Sequence, residues 1–338
     1  MNRSRFFRAA GVVLPALALI GCGGETSGVT NGYPSAPSNV GNPAGPGVNG
    51  GNSMAAMAVG QTWTYAVSGN ITQQVLNGTT VQTISGAVTN GKIVRAVTAA
   101  PASFGSGVFQ LTDTFTYTLQ GYTPSVQVWT EYVTQGSGGT ISLAGFSSQG
   151  LIPTLSTRGA IVPGSFAKNT TLSNSSALNF NEPVFLLTFN NPSSTGNPPS
   201  VTYGIGAGSG TIQTSFAALA QQQVPSTSGG AYTAWTTESS TTEYLNVDAL
   251  YKLIALEQPP GTNFVQQAST TFATSDDWVP SMGVPVRSHL VKTESDTVAT
   301  AYSYTTGSFT APPSITYTFL ANPLVTKEDL QLSFVSAG

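Results

Sequence analysis

Between Phe109 and Leu119 the chain alternates at every step. Phe109, Leu111, Phe115, Tyr117 and Leu119 fall on one face together with Asp113, and Gln110, Thr112, Thr114, Thr116 and Thr118 fall on the other. Period two over eleven residues is the repeat of a β-strand and not of a helix. One apolar and one polar face place such a strand in an antiparallel sheet that packs on one side and meets water on the other.

The same pattern returns elsewhere. Trp63, Tyr65 and Val67 alternate with Thr62, Thr64 and Ala66, and Ile315, Tyr317 and Phe319 alternate with Thr316 and Thr318. Further strand candidates are 125–134, 183–189, 231–247, 262–274, 284–294 and 297–306. Only 7% of residues are charged while 40% are hydrophobic, so the Lys and Glu that stabilise exposed helices are scarce and Thr, Val, Tyr and Phe favour strand. The expected fold is all-β: an antiparallel sheet of meander hairpins, as a sandwich or a curved half-barrel, with at most one or two short helices. Phe216–Gln223 and Asp248–Glu257 are the helical candidates, the second with Asp248 as N-cap. Asn77-Gly78 and Asn90-Gly91 each separate alternating runs and accept the positive φ of a two-residue hairpin, so residues 61–99 are expected to form a meander of about four strands.

The first 58 residues have a different character. Arg3, Arg5 and Arg8 precede an uncharged run from Ala9 to Gly21, the layout of a signal peptide. Those thirteen residues would rise only about 20 Å as a helix, short of a bilayer core. The run ends in Leu19-Ile20-Gly21-Cys22. This tetrapeptide resembles the lipobox of bacterial lipoproteins, and the resemblance is confined to roughly the first 25 residues. It implies cleavage before Cys22, acylation of that cysteine with chains such as palmitate, and attachment to a membrane from the extracytoplasmic side. In a Gram-negative cell, Gly23 rather than aspartate after Cys22 favours the outer membrane. Cys22 is the single cysteine of 338 residues, which excludes an intramolecular disulfide and a cysteine metal cluster.

From Gly23 to Ser53, 22 of 31 residues are Gly, Pro, Asn or Ser, too little apolar surface to offset the entropy of ordering. The expected organisation is therefore a signal peptide over 1–21, a lipidated tether over 22–58, and a β-rich extracytoplasmic domain over 59–338, with a possible division near 190–200 at a Pro/Gly/Ser-rich break.

Without the three signal-peptide arginines the chain carries 8 basic and 14 acidic residues. No basic patch is visible, which argues against nucleic acid and against electrostatic attachment to anionic lipid. His289 is the only histidine, excluding zinc sites that need two, and no G-x-S-x-G elbow accompanies it. Alternation puts Arg287, His289 and Val291 on one strand face, where a solvated or hydrogen-bonded histidine is expected. Ser165-Phe166-Ala167-Lys168 matches S-x-x-K, but Pro163-Gly164 before it and Asn169-Thr170-Thr171 after it point to a turn and not to the helix that motif needs. Asp276-Asp277 and Glu294/Asp296 lack calcium-loop spacing and are expected in solvated turns. No metal and no cofactor is implied.

Asp113 differs, because it stands on the apolar face of the clearest strand. A buried carboxylate must pair, reach water or sit at an edge or bulge, and the last is expected. Asp113 and Glu131, on neighbouring strands, are the pair to inspect for hydrolytic chemistry on cell-wall or polysaccharide material. The leading expectation is a non-enzymatic lipoprotein with a structural or binding role in the envelope, its partner an envelope protein, a lipid or a glycan. A carrier of lipid or acylated cargo in a curved sheet is the alternative, and a hydrolase the next.

Overall fold

Alternation is realised as burial. In the computed structural model, Phe115, Tyr117 and Leu119 of the third strand are buried, and the threonines between them are half-exposed. The structure describes residues 52–77, 80–147, 152–180, 185–190, 200–226, 230–248, 264–305, 307–308 and 310–338.

Sixteen strands are present among these residues. They are β1 (Thr62–Asn77), β2 (Thr80–Ala99), β3 (Val108–Leu119), β4 (Pro124–Gln135), β5 (Ile141–Phe146), β6 (Pro153–Leu155), β7 (Ala160–Val162) and β8 (Thr171–Phe180). The remainder are β9 (Phe185–Asn190), β10 (Ser200–Ile205), β11 (Gly208–Pro225), β12 (Ala231–Val247), β13 (Phe264–Val279), β14 (Val284–Thr305), β15 (Ser314–Phe319) and β16 (Leu324–Ala337). Two short 3-10 turns, Ala102–Phe104 and Pro280–Met282, are the helical elements among the described residues.

The protein is all-β, and the large sheet curves into a ring. Its path runs β13-β12-β11-β8-β6-β5-β4-β3-β2-β1-β16-β14, and β14 pairs back onto β13, so twelve strands close on themselves with every pairing antiparallel. Closure removes the sheet edges that a sandwich or half-barrel would leave. The narrowest seam lies at β5–β6, joined at Gly145↔Thr154 alone, with β7 pairing β5 beside it.

One face of the ring carries the core. Trp63, Tyr65, Ile93, Phe115, Val133, Phe272, Trp278, Leu290 and Leu330 belong to one cluster contributed from around the ring. Apolar side chains thus fill the inside, and Thr, Ser and Gln cover most of the outside. One end is crossed by the chain's own lead-in. Met54 N–H donates to Gly164 O at 2.9 Å, Ala55 N–H to Pro280 O at 2.9 Å, and Phe166 N–H to Asn52 O at 2.8 Å. Gln135 grips the same segment, accepting from Met57 N–H at 2.6 Å and donating to Ala55 O at 2.8 Å. At the other end the β9–β10 hairpin meets the ring through Leu187 and Ile205, which cluster with Val247, Phe180 and Ile315.

Three sequence expectations need correction here. Residues 61–99 make two long strands and not four. Asn90, at φ 53°, is used for an irregularity inside β2, where register shifts between Thr89 and Lys92 against β3 and between Val67 and Asn70 against β1. A bulge needs the same positive φ as a tight hairpin, so the dipeptide alone does not distinguish them. Phe216–Gln223 is strand within β11, because β12 pairs along it and β8 pairs at Phe216 and Ala217, supplying the backbone partners that override a weak helical preference. Of Asp248–Glu257, only Asp248 lies within the described residues. The candidates 284–294 and 297–306 fall on one continuous strand, β14 (Val284–Thr305), with 306 outside the described residues.

Candidate functional site: a buried carboxylate pair and its guanidinium

Three neighbouring strands bring their inward charges together. On β2, Arg95 alternates with Ile93 and Val97; on β3, Asp113 alternates with Leu111 and Phe115; on β4, Glu131 follows Trp129 on the inner face. Register then sets Arg95 opposite Asp113, Asp113 opposite Trp129, and Leu111 opposite Glu131. Asp113 is therefore neither at an edge nor at a bulge, contrary to expectation: it sits mid-strand with regular partners on both sides, and it is satisfied by pairing.

The pairing is bidentate. Arg95 Nε donates to Asp113 Oδ1 at 2.6 Å and Nη2 to Oδ2 at 2.5 Å, while Trp129 Nε1 donates to the same Oδ2 at 2.7 Å. Glu131 Oε2 lies 3.9 Å from Arg95 Nη2, and neither Glu131 oxygen accepts a hydrogen bond. Relative exposure is 0% for Arg95 and 1% for each acid. Burial pushes the Glu131 carboxyl well above the usual range; Arg95 draws it back and Asp113 pushes it up again. The set is thus a carboxylate locked to a guanidinium beside a second carboxyl whose ionisation burial opposes. A neutral acid next to an ionised one is the combination that glycoside hydrolysis uses, but that chemistry needs substrate between them. Here Arg95 and the Trp129 indole occupy the carboxylate, and none of the three ionisable groups meets solvent. Arg95 was missed in the sequence, although the signal was there: it is the one charge in the alternating run Ile93, Arg95, Val97.

A second inward cluster lies on β14 and β16. Lys292 Nζ is 2.9 Å from Glu294 Oε2 and 3.5 Å from Glu328 Oε1, and 5.9 Å from the centroid of the Phe272 ring. All three charged residues are buried. Burial also raises Glu294, opposed by Lys292, while the neighbouring acids hold Lys292 protonated against its own burial. Tyr117, on the inner face of β3, is pushed up to about 12, chiefly by burial and then by Glu328.

Asp276, Asp277, Glu294 and Asp296 were expected in solvated turns, and all four instead lie buried within strands β13 and β14. β13 and β14 continue as strands of 16 and 22 residues through these positions, so no turn falls there, and partners on the same and neighbouring strands offset the burial of the acids. Asp276 and Asp277 do point to opposite faces. Asp276 accepts from Thr274 Oγ1 at 2.7 Å inside the ring, and burial pushes its carboxyl up to about 7 despite that hydrogen bond and the nearby Ser288 and Trp278 side chains. Asp277 pairs on the outer side with Arg287 at 2.8 Å and accepts from Gln222.

His289 stands on the outer face with Arg287 and Val291, its Nε2 2.9 Å from Asp329 Oδ1, both side chains substantially exposed. The structure does not bring it near Asp113 or Glu131, which face inward. Ser165 and Lys168 lie at an isolated bridge and a turn, not on a helix. Cys22 lies outside the described residues. Among the described residues, no three or more His, Cys, Asp or Glu side chains are arranged to hold a metal ion. A crevice beside the seam, lined by Leu143, Leu155, Ile161, Asn174, Ser176 and Ile212 among others, has about 10 Å³ of accessible space, room for about one water.

A scan against protein-family models finds none that matches this chain, and a search of curated proteins finds no match either.

Proposed function

We propose that this protein is a membrane-anchored extracytoplasmic lipoprotein, held by acyl chains on Cys22, whose barrel has a non-enzymatic structural or binding role in the cell envelope. The enclosure of the acid–base groups carries the non-enzymatic part of this reading. Asp113, Glu131, Glu294 and Glu328 are all buried side chains, so a substrate bond would have to enter a packed interior to meet them. His289 is exposed and pairs with the exposed Asp329.

The outer surface supports the choice of partner. Ser, Thr and Gln dominate the outward strand positions, with Thr112, Thr114, Thr116 and Thr118 in a row on β3 and Thr130 beside Thr112 on β4. A surface of this kind exerts little long-range field, and suits uncharged glycans or protein surfaces better than nucleic acid or anionic lipid. The packed core also weighs against an apolar cargo cavity among the described residues.

Acyl labelling of the full chain beside its Cys22→Ala variant tests the anchor. Label and membrane attachment are expected in the parent and lost in the variant; persistent label on Cys22→Ala refutes the assignment. Native mass spectrometry of the detergent-released protein tests the role of the body. The polypeptide with its acyl chains alone is expected, and a reproducible additional lipid mass would replace this reading with the carrier.

A further inference from the structure

Three inward acidic sites share one arithmetic. Among the described residues, Arg95 faces two carboxylates, Asp113 and Glu131; Lys292 faces two within 4 Å, Glu294 and Glu328, with Asp296 on the same strand face; and Asp276 faces no cation on the inner side, since Arg287 is spent on Asp277 across the sheet. Each site therefore encloses at least one carboxylate more than its positive charge can balance, and Glu243, buried on β12, adds a further inward acid. A surplus carboxylate that is buried costs far less as the neutral acid than as an ion.

We propose that the barrel folds by taking up protons, about one at each of these three sites, so that the native body is proton-loaded near pH 6 and is tightened by acid and loosened by alkali. The inference rests on burial and pairing inside the ring, and holds wherever the chain is anchored.

The surroundings of each site agree. Glu131 meets Arg95 from β2 and Asp113 from β3, while its register partner on β5 is Phe146, which offers no polar group. Neither of its oxygens has a hydrogen-bond partner, a state that costs a buried ion far more than a neutral acid. Asp276 meets Thr237 of β12 and Ser288 of β14 in register, Thr274 on its own strand, and the Asp277 charge one residue on. Among the described residues, the groups that favour its ionised form are neutral. Glu294 and Glu328 compete for the one ammonium of Lys292, with the shorter contact at Glu294; Asp296 adds a further negative charge on the same strand face, and Tyr117 approaches from β3. Burial raises Glu131, Asp276 and Glu294 alike, the direction that proton uptake requires.

The count is measurable on the purified full chain. Thermal unfolding enthalpy recorded at pH 6 in buffers of different ionisation enthalpy gives the number of protons released on unfolding. His289→Gln serves as a parallel background, because it removes the single imidazole of the chain. About three protons are expected, and fewer than one overturns the proposal. In Glu131→Gln the count should fall by about one, and an undiminished count in a folded variant would remove Glu131 from the set. Where that variant does not fold, the wild-type count and the denaturation midpoint decide: the midpoint should fall from pH 5 to pH 8, and a midpoint that rises over this interval overturns the proposal.

Discussion

Arg95 and Asp113 meet across β2 and β3 through two parallel hydrogen bonds of 2.6 and 2.5 Å, with neither side chain exposed to solvent by more than 1%. Such a pair fixes register more than it adds stability, since the cost of dehydrating both ions offsets most of their attraction. Its removal from one side is another matter. Asp113→Leu should cost about 3 to 5 kcal/mol in chemical denaturation, because Arg95 is left ionised in the core. The double variant Arg95→Met/Asp113→Leu should recover most of that loss, and a double variant as unstable as the single would contradict this account.

The irregularity that bends β1 and β2 depends on glycine. Gly69 has φ 133°, and a Cβ there would lie 2.0 Å from the Asp329 carbonyl oxygen on β16. Gly69→Ala should therefore cost about 2 kcal/mol or more, with the loss visible in the urea midpoint. Gly60, at φ 95° but open enough that an added methyl would have nothing within 4 Å, is the comparison. Gly60→Ala should lose only the backbone part, about 1 kcal/mol. Equal losses at the two sites would show that the close approach of β16 is unimportant.

Residues 52–57 tie the rim of the barrel together through backbone bonds to Gly164, Phe166 and Pro280 and through the Gln135 side chain, and Met54 is their one buried side chain. Met54→Ala should lower stability by about 2 kcal/mol, at the lower end for a core methionine because the site is at the rim. Ala56→Ser, at an exposed position of the same segment, should be neutral. Amide exchange read at Phe166, which donates to Asn52, should accelerate in Met54→Ala and not in Ala56→Ser; equal exchange in both would mean that Met54 does not hold the segment down.

Asp276 makes a pH signature. Its carboxyl is raised from the ordinary 3.8 to about 7 by burial, so in the folded state it keeps its proton over a range in which the unfolded chain has lost it. Its favourable contribution is full below about pH 4 and is lost as pH rises through 7. Asp276→Asn should flatten the fall in stability between those limits, while leaving the part due to other buried acids. An unchanged slope in the folded variant would assign the pH dependence elsewhere.

Much of this fold was legible locally. The alternation at Phe109–Leu119 and Trp63–Val67 identified strands and assigned their faces, that at Ile315–Phe319 identified a strand whose Phe319 is nevertheless exposed, and alternation placed Arg287, His289 and Val291 together on the outside of β14. It also flagged Asp113 as anomalous, one carboxylate on an apolar face. What it could not supply was the partner. Arg95 is separated from Asp113 by 18 residues and an intervening turn, and nothing in either strand alone states that they are opposite. Asn90-Gly91 shows the same limit from the other direction, since a positive φ serves a hairpin and a bulge equally well.

The charged residues mark the boundary most clearly. A handful of acids in a chain poor in charge reads as solvated turns, because isolated ions prefer water. That inference holds for a single strand and fails for twelve strands in a ring, where ions from neighbouring strands converge and can satisfy one another or share protons. By itself, then, the sequence determined the β character, the two faces of the strands, and the contrast between the polar Gly/Pro/Asn/Ser lead-in and the body. Only the tertiary structure decided that the sheet closes, β1 meeting β16 near opposite ends of the chain at Trp63↔Ala337, and which charges then face one another inside. The physical reason is range: alternation is a property of adjacent residues, whereas register and closure are set by contacts between strands hundreds of residues apart, through side chains whose partners exist only once the ring has formed.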